Sequence, residues 1–377
     1  MKQGYANRQV KDICAKGSSQ VAQKDLEGLI GDYPIYGASG LIKNVDFYHQ
    51  EKEYIGLVKD GSGIGRVMFL PPKSSVIGTI QYILPKEGYN IRYIGYCLQS
   101  LKLDKYKQGA AIPHIYFKDY GEAQILVADN PDEQQRIVAL LDAEFAKIDA
   151  LKANAEKNLQ NAKDLFQAAL KSVYSSIKST KKLDSIVTII NGFAFKSEDF
   201  HKDNPIKAIK ITNVGVGHFV ETTDTNLPLS IWENKPEFQV REGDIIFALT
   251  RTIISDGLKV AIVPKTYDKA LLNQRVAALS INSSALRNYL FYYFQTPMVK
   301  QYVLAHVNTL MQPNLSINDL RTMPIKIVDD VLMLKIVAHL DALNEKCKTL
   351  QANYEKTLNL CDDLKQALLR KAFNGEI

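Results

Sequence analysis

Arg136-Ile137-Val138-Ala139-Leu140-Leu141-Asp142-Ala143 returns 199 residues later as Lys335-Ile336-Val337-Ala338-His339-Leu340-Asp341-Ala342. The alignment runs without a gap from Arg136 over Lys335 to Tyr174 over Phe373, with 18 identities in 39 positions. Ala153-Asn154 meets Ala352-Asn353, Glu156-Lys157 meets Glu355-Lys356, Asp164-Leu165 meets Asp363-Leu364, and Gln167-Ala168 meets Gln366-Ala367. Unrelated helices do not agree at that density, so the chain contains a duplication. A duplication governs the fold before any single motif does.

Both copies carry the period of a long amphipathic helix. In the second, Leu340, Cys347, Tyr354, Cys361 and Leu368 recur every seven residues, with Leu343, Leu350 and Leu364 at the complementary positions. In the first, Leu141, Ile148, Ala155, Ala162 and Ala169 form one series and Ile137, Leu151 and Leu165 the other. Each copy therefore reads as one strand of a coiled coil. Asn130-Pro131-Asp132-Glu133 supplies a helix start, and Gly375 follows the end of the second copy.

Working outward, the segments before the helices also correspond. Val10-Lys11-Asp12-Ile13 with Gly17 resembles Leu183-Asp184-Ser185-Ile186 with Gly192, and Pro113-His114-Ile115 before Asp119 resembles Pro313-Asn314-Leu315 before Asp319. Between these anchors lie short β-rich runs such as Tyr54–Val58 and Asp244–Leu249, broken by Gly, Pro and Asn. The plan is α/β, of the α+β kind: a mixed, strand-rich head over 1–131, a long helix over 132–176, a second head over 177–330 and a second helix over 331–377. A helix of about 40 residues is roughly 60 Å long, and the connector Ser175–Lys182 is short. The second helix must double back to bury its seam. The pair is expected to be an antiparallel two-helix coiled coil with pseudo-twofold symmetry, holding the heads at its two ends.

Composition narrows the class of function. The 377 residues are 46% hydrophobic and 23% charged, with a net charge of +6; a pI near 8.8 favours a polyanionic partner without requiring one. The opening Met-Lys-Gln-Gly-Tyr-Ala-Asn-Arg lacks a signal-peptide core, and no apolar run approaches membrane-spanning length. Cys14, Cys97, Cys347 and Cys361 show no CxxC spacing. A cytoplasmic protein with no membrane partner is the expectation.

With these residues in view, the chain resembles the specificity subunits of type I restriction-modification enzymes. The resemblance covers nearly the whole length. It rests on the Val/Leu-Lys/Asp-x-Ile turn opening each head and on Tyr33-Pro34-Ile35-Tyr36-Gly37-Ala38-Ser39-Gly40. It rests also on the proline turn before each Ile-Val-x-x-Leu-Asp helix start, and on Gln366-Ala367-Leu368-Leu369-Arg370-Lys371-Ala372-Phe373-Asn374-Gly375. It implies two target recognition domains on a coiled-coil spacer and no catalysis by this chain. The implied partners are double-stranded DNA, two methyltransferase subunits and motor-nuclease subunits. S-adenosylmethionine, ATP and Mg would sit on those partners, with no cofactor on this chain. One departure stands out: the family's Glu-Gln pair is present as Glu133-Gln134-Gln135, whereas the second half has Val331-Leu332-Met333-Leu334.

No catalytic or metal site is legible. Gly61-Ser62-Gly63-Ile64-Gly65-Arg66 lacks the spacing of a phosphate cradle and reads as a hairpin between Val58 and Val67. An Asn/Asp-Pro-Pro-aromatic methyltransferase motif is missing, and His49, His114, His201, His218, His306 and His339 lack metal-ligand spacing. Asp142 and Asp341 read as helix-start or partner contacts, and Tyr289-Leu290-Phe291-Tyr292-Tyr293-Phe294 reads as core helix.

DNA contacts need Lys and Arg for phosphates, with Arg, Asn, Gln, Ser or Thr at base edges. The candidates in the first head are Lys59, Ser62, Arg66, Lys105, Lys107 and His114. In the second they are Lys210, Thr250, Arg251, Lys259, Gln274, Arg275, Asn308, Gln312 and Asn314. Helix capping is an alternative role for His114 and Asn314. The competing function is an adaptor whose coiled coil holds two protein-binding heads without DNA.

Overall fold

The computed structural model describes residues 4–110, 112–223, 226–254, 257–307 and 314–377. The chain divides into two compact units, Met1–Glu156 with Glu355–Ile377, and Lys157–Tyr354. Each unit therefore holds one head and parts of both long helices, which span Pro131–Ser175 and Asp330–Phe373.

The head of the first unit is built on a four-stranded sheet in the order Cys14–Ser18, Ile80–Pro85, Tyr54–Val58, Val67–Leu70, with every neighbour antiparallel. Tyr54–Val58 is buried along its whole length, as an unbroken apolar run in a central strand should be. Ile55 and Leu57 face Tyr93 and Ile94 of the helix Ile91–Ser100, while Tyr54 and Val58 join Val76, Ile80 and Tyr82 on the other side. Asn90 starts that helix by accepting hydrogen bonds from the Arg92 and Tyr93 amides. A smaller sheet orders Gly40–Val45, Tyr33–Gly37 and Ser75–Val76, with Ser75–Val76 parallel to the middle strand.

The head of the second unit repeats this topology strand for strand. Its large sheet runs Thr188–Asn191, Val276–Ser280, Ile245–Ala248, Val260–Ile262, again all antiparallel. Its small sheet runs Asn226–Leu227, Ile206–Ile209, Leu271–Leu272, with the last strand parallel. Ile245 and Phe247 pack on Tyr289 and Leu290 of the helix Ser284–Phe294, and Ile246 and Ala248 face Ile209 and Val263. The aromatic run Tyr289–Phe294 is thus core helix. The second head adds a hairpin, Ile253–Ile254 with Gly257–Leu258, between its second and third large-sheet strands in chain order.

Within the first unit the two long helices run antiparallel. Lys365 pairs with Asp149 at 2.5 Å and Lys152 with Asp362 at 2.7 Å, so one residue number rises as the other falls. Leu141 and Ile148 share a core with Cys361, Leu369 and Phe373. In the second unit Phe166, Leu170 and Tyr174 share a core with Met333, Val337, Leu340 and Cys347.

The seam differs from the heptad expectation in one respect. Leu141, Ile148, Ala155, Ala162, Leu340, Cys347 and Cys361 are buried. The complementary leucines are not: Leu151 is 56% exposed, Leu165 50%, Leu350 39% and Leu364 48%. Each helix also packs against a head: Phe145 and Phe166 of the first helix lie edge-on to Tyr96 and Tyr292, and Phe373 of the second lies against Tyr93. On the first helix that second neighbour draws the buried face toward Phe145 and Phe166 and leaves Leu151 and Leu165 outward; on the second, Leu350 and Leu364 face outward while Leu343 packs on the core.

The family departure changes the local packing. Gln134 is buried; its Oε1 accepts from the Asn90 amide at 2.8 Å, and its Nε2 donates to the carbonyls of Ala128 at 2.9 Å and Gly88 at 3.2 Å. Met333, at the duplicated position, is a buried apolar plug flanked by exposed Val331, Leu332 and Leu334. A polar clamp in one unit is an apolar one in the other.

Candidate nucleic-acid interface

In each head a loop leaves the central strand and is pinned to the segment before the next short helix. In the first head the Ile115 amide donates to the Lys59 carbonyl at 2.9 Å, and Asp60 bridges His114. In the second the Leu315 amide donates to the Leu249 carbonyl at 2.8 Å, and Thr250 bridges Asn314. The same backbone staple therefore recurs with different side chains. Neither His114 nor Asn314 caps a helix: the caps are Tyr116 and Ser316.

The first staple gathers a lysine and a histidine around one carboxylate. Asp60 accepts from Lys59 Nζ at 2.9 Å and from His114 Nδ1 at 2.7 Å. Residues Lys59–Arg66 form the hairpin loop expected from sequence, closed by the Val58 amide donating to the Arg66 carbonyl at 3.0 Å. Gly61 turns it with φ +91°, a conformation that suits glycine. Ser62 and Arg66 are exposed, and Arg66 Nη1 donates to the Ala38 carbonyl at 2.7 Å. A cleft lined by Ser62, Arg66, Lys102 and Asp104 joins the loop to the turn carrying Lys105 and Lys107. Gln108 and His114 exchange backbone hydrogen bonds at 2.8 Å, which brings Lys107 to the same place. The loop holding Lys59, Ser62 and Arg66 is thus joined to His114 through Asp60 and to the turn holding Lys105 and Lys107 through the cleft. Asp60, which the sequence reading passed over, lies among them.

The second staple sits beside the turn Gln274-Arg275, because the Leu249 amide donates to the Arg275 carbonyl at 2.9 Å. Arg251 follows Thr250 as Gly61 follows Asp60, and it too adopts positive φ, +49°. For a non-glycine residue that conformation costs roughly 1–2 kcal/mol, an outlay that tends to mark functional loops. Lys259 Nζ reaches across to the Ile211 carbonyl at 2.8 Å, next to Lys210. Burial of the ammonium, and then the charge of Arg251, hold the Lys259 pKa below the ordinary lysine value. The Lys210 ammonium lies 3.6 Å from the Phe200 ring centroid. Lys210, Thr250, Arg251, Lys259, Gln274, Arg275 and Asn314 are therefore neighbours, whereas Asn308 and Gln312 fall outside the described residues. Among the described residues, Arg251, Lys259 and Arg275 enter no ion pair, which leaves three cations of the kind that bind phosphates.

Other chemistry has no comparable gathering. Among the described residues no three His, Cys, Asp or Glu side chains converge to hold a metal ion. All four cysteines are buried thiols, and no helix is long and apolar enough to cross a membrane.

Fold and site together define an internally duplicated protein with two strand-rich heads, each presenting a stapled polar loop. The chain belongs to the family described as the type I restriction modification DNA specificity domain, whose model matches residues 2–161 and again 177–359. It is 27% identical over 323 residues to the type I restriction enzyme MjaVIII specificity subunit of Methanocaldococcus jannaschii, covering 78% of this chain and 74% of that protein. Its fold resembles a chain from a structure titled as the basis of complex assembly and conformational transition of the type I R-M system. There the TM-score is 0.76 at 15% identity, over 100% of this chain and 99% of that one. It also resembles the HsdS subunit from Thermoanaerobacter tengcongensis, with a TM-score of 0.54 at 16% identity over 100% and 98% of the two chains. The family expected from the duplicated motifs is the family found.

Proposed function

We propose that this chain reads an asymmetric, bipartite DNA target for a type I restriction-modification complex, one half-site per head, and performs no catalysis itself. The observation that carries the reading is the repeated staple. One scaffold holds Asp60 and His114 in the first head and Thr250 and Asn314 in the second, and unlike side chains on a common frame call for unlike half-sites. Family membership supports the same role.

Two methyltransferase subunits and the motor-nuclease subunits would then supply the chemistry, together with S-adenosylmethionine, ATP and Mg. The outward leucines Leu151, Leu165, Leu350 and Leu364 offer apolar surface for a partner helix. The paired helices would set the gap between half-sites.

Binding of the full chain, alone and with co-expressed methyltransferase, to duplex DNA over a series of salt concentrations tests the proposal. Sequence-selective binding that falls steeply with salt is expected, because phosphate contacts release counterions. Association with a protein partner but salt-insensitive or absent DNA binding would favour the adaptor reading. Tight S-adenosylmethionine binding by the isolated chain would contradict the non-catalytic role.

A further inference from the structure

We infer that the backbone staple is the specificity-determining element of each head, and that Asp60 is a positioning residue for His114. The inference rests on the DNA-reading role proposed above and names the side chains that make the choice.

The physical case begins with the hydrogen bond between His114 Nδ1 and Asp60 Oδ1 at 2.7 Å. An ionised carboxylate only accepts, so Nδ1 carries the shared hydrogen and Nε2 is the ring's remaining polar atom. Asp60 is itself held by Lys59 Nζ at 2.9 Å, and the His114 backbone is fixed on both sides by Gln108 at 2.8 Å. The imidazole is thereby set in one tautomer on a hydrogen-bonded frame, half-exposed, next to Pro113, whose carbonyl accepts from the Gly61 amide of the loop at 2.9 Å. Side chains that must distinguish base edges need this kind of pre-ordering, since a misplaced polar group loses its selectivity.

The second head places Thr250 and Asn314 on the same frame. Asn314 is exposed and carries both a donor and an acceptor, the combination that pairs with the adenine edge in the major groove. With Nδ1–H committed to Asp60, the imidazole offers a single acceptor where the amide offers a donor and an acceptor, so the two staples present different hydrogen-bonding patterns to the bases. The remaining cations, Arg66 in one head and Arg251, Lys259 and Arg275 in the other, then serve phosphates and neighbouring bases.

The test is selection from a randomised duplex library with the full chain and co-expressed methyltransferase, followed by sequencing of captured DNA. Wild type should enrich a motif of two half-sites; if it enriches none, the DNA-reading role fails, independently of the staple. His114→Ala should lose roughly tenfold in preference at one or two adjacent positions of a single half-site, leaving the other half-site intact as an internal control of folding. Asp60→Ala should relax the same positions, and Asp60→Asn, which keeps an acceptor for Nδ1–H, should restore most of the preference. Asn314→Ala should alter the other half-site alone. The inference is overturned if His114→Ala selects the wild-type motif, if His114→Ala and Asn314→Ala alter the same half-site, or if Asp60→Asn behaves like Asp60→Ala. Should His114→Ala unfold, His114→Gln replaces it under the same outcomes.

Discussion

The Tyr292 hydroxyl donates to Asp341 Oδ1 at 2.6 Å, tying the helix Ser284–Phe294 to the second long helix. In the first unit the Tyr96 hydroxyl donates to Asp142, and there the carboxylate also accepts from Arg92 Nη2 at 2.7 Å. The aspartates marked in sequence as helix-start or partner contacts are thus head-to-helix ties. Burial and the carboxylate push the Tyr96 hydroxyl up to about 12, so it remains a donor across the physiological range. Tyr292→Phe removes that bond from the exposed Asp341, where water replaces the donor, and should cost about 0.5–1.5 kcal/mol. Tyr96→Phe leaves Asp142 its arginine and should cost less. Chemical denaturation of the two variants reads the difference.

Gln134 donates and accepts where its duplicated partner Met333 does neither. Gln134→Met would strand the Asn90 amide and the Ala128 carbonyl in a buried site, at roughly 1–3 kcal/mol for each group left unpaired. Thermal unfolding should show a clear loss of stability although the second unit tolerates methionine at the equivalent place. An unchanged unfolding temperature would mean that the clamp contributes nothing.

Arg251 holds a backbone conformation that Gly61 occupies at the matching place in the first head. Arg251→Gly relieves strain of roughly 1–2 kcal/mol but adds unfolded-chain entropy of roughly 0.5–1 kcal/mol. Stability should therefore stay level or rise by up to about 1 kcal/mol, while DNA affinity falls and the salt slope drops by about one. Parallel denaturation and binding titrations separate the two effects. A loss of stability with full binding would reverse the assignment.

Lys259 carries a pKa below its ordinary 10.5 in the folded chain. Between the folded value and 10.5 the unfolded chain binds more protons, so this group's contribution to stability grows as pH rises through that window. A phosphate beside the ammonium would raise its pKa, so binding takes up a proton and DNA affinity should decline as pH rises through the same alkaline range. Lys259→Arg, always charged, should bind with a flat profile there. A wild-type profile as flat as that of Lys259→Arg would remove Lys259 from the interface.

The duplication made much of this architecture legible. Identities such as Leu141 with Leu340 and Asp142 with Asp341 marked the helices and their copy number, whereas the ties from Asp142 to Tyr96 and from Asp341 to Tyr292 became visible only in the structure. The common topology of the heads was less visible. Sheet cores accept many apolar sequences of similar volume, and Tyr54–Val58 shares little with Ile245–Ala248 beyond burial. The outward turn of Leu151 and Leu350 was hidden because a heptad count assumes one neighbour, and these helices have two. Asp60 escaped notice because its importance lies in reaching His114, 54 residues away. The weak alignment of Pro113-His114-Ile115 with Pro313-Asn314-Leu315 was the one signal that pointed there.

The most direct test of a two-headed reader is to make both heads alike. Residues 183–327 are replaced by residues 10–128, keeping both long helices, and the DNA captured from a randomised duplex library by this chain with its methyltransferase is sequenced. Two inverted copies of the half-site read by the first head are expected, a symmetric target from a symmetric protein. Recovery of the original asymmetric motif would show that the exchanged residues do not choose the sequence, and the account would be wrong.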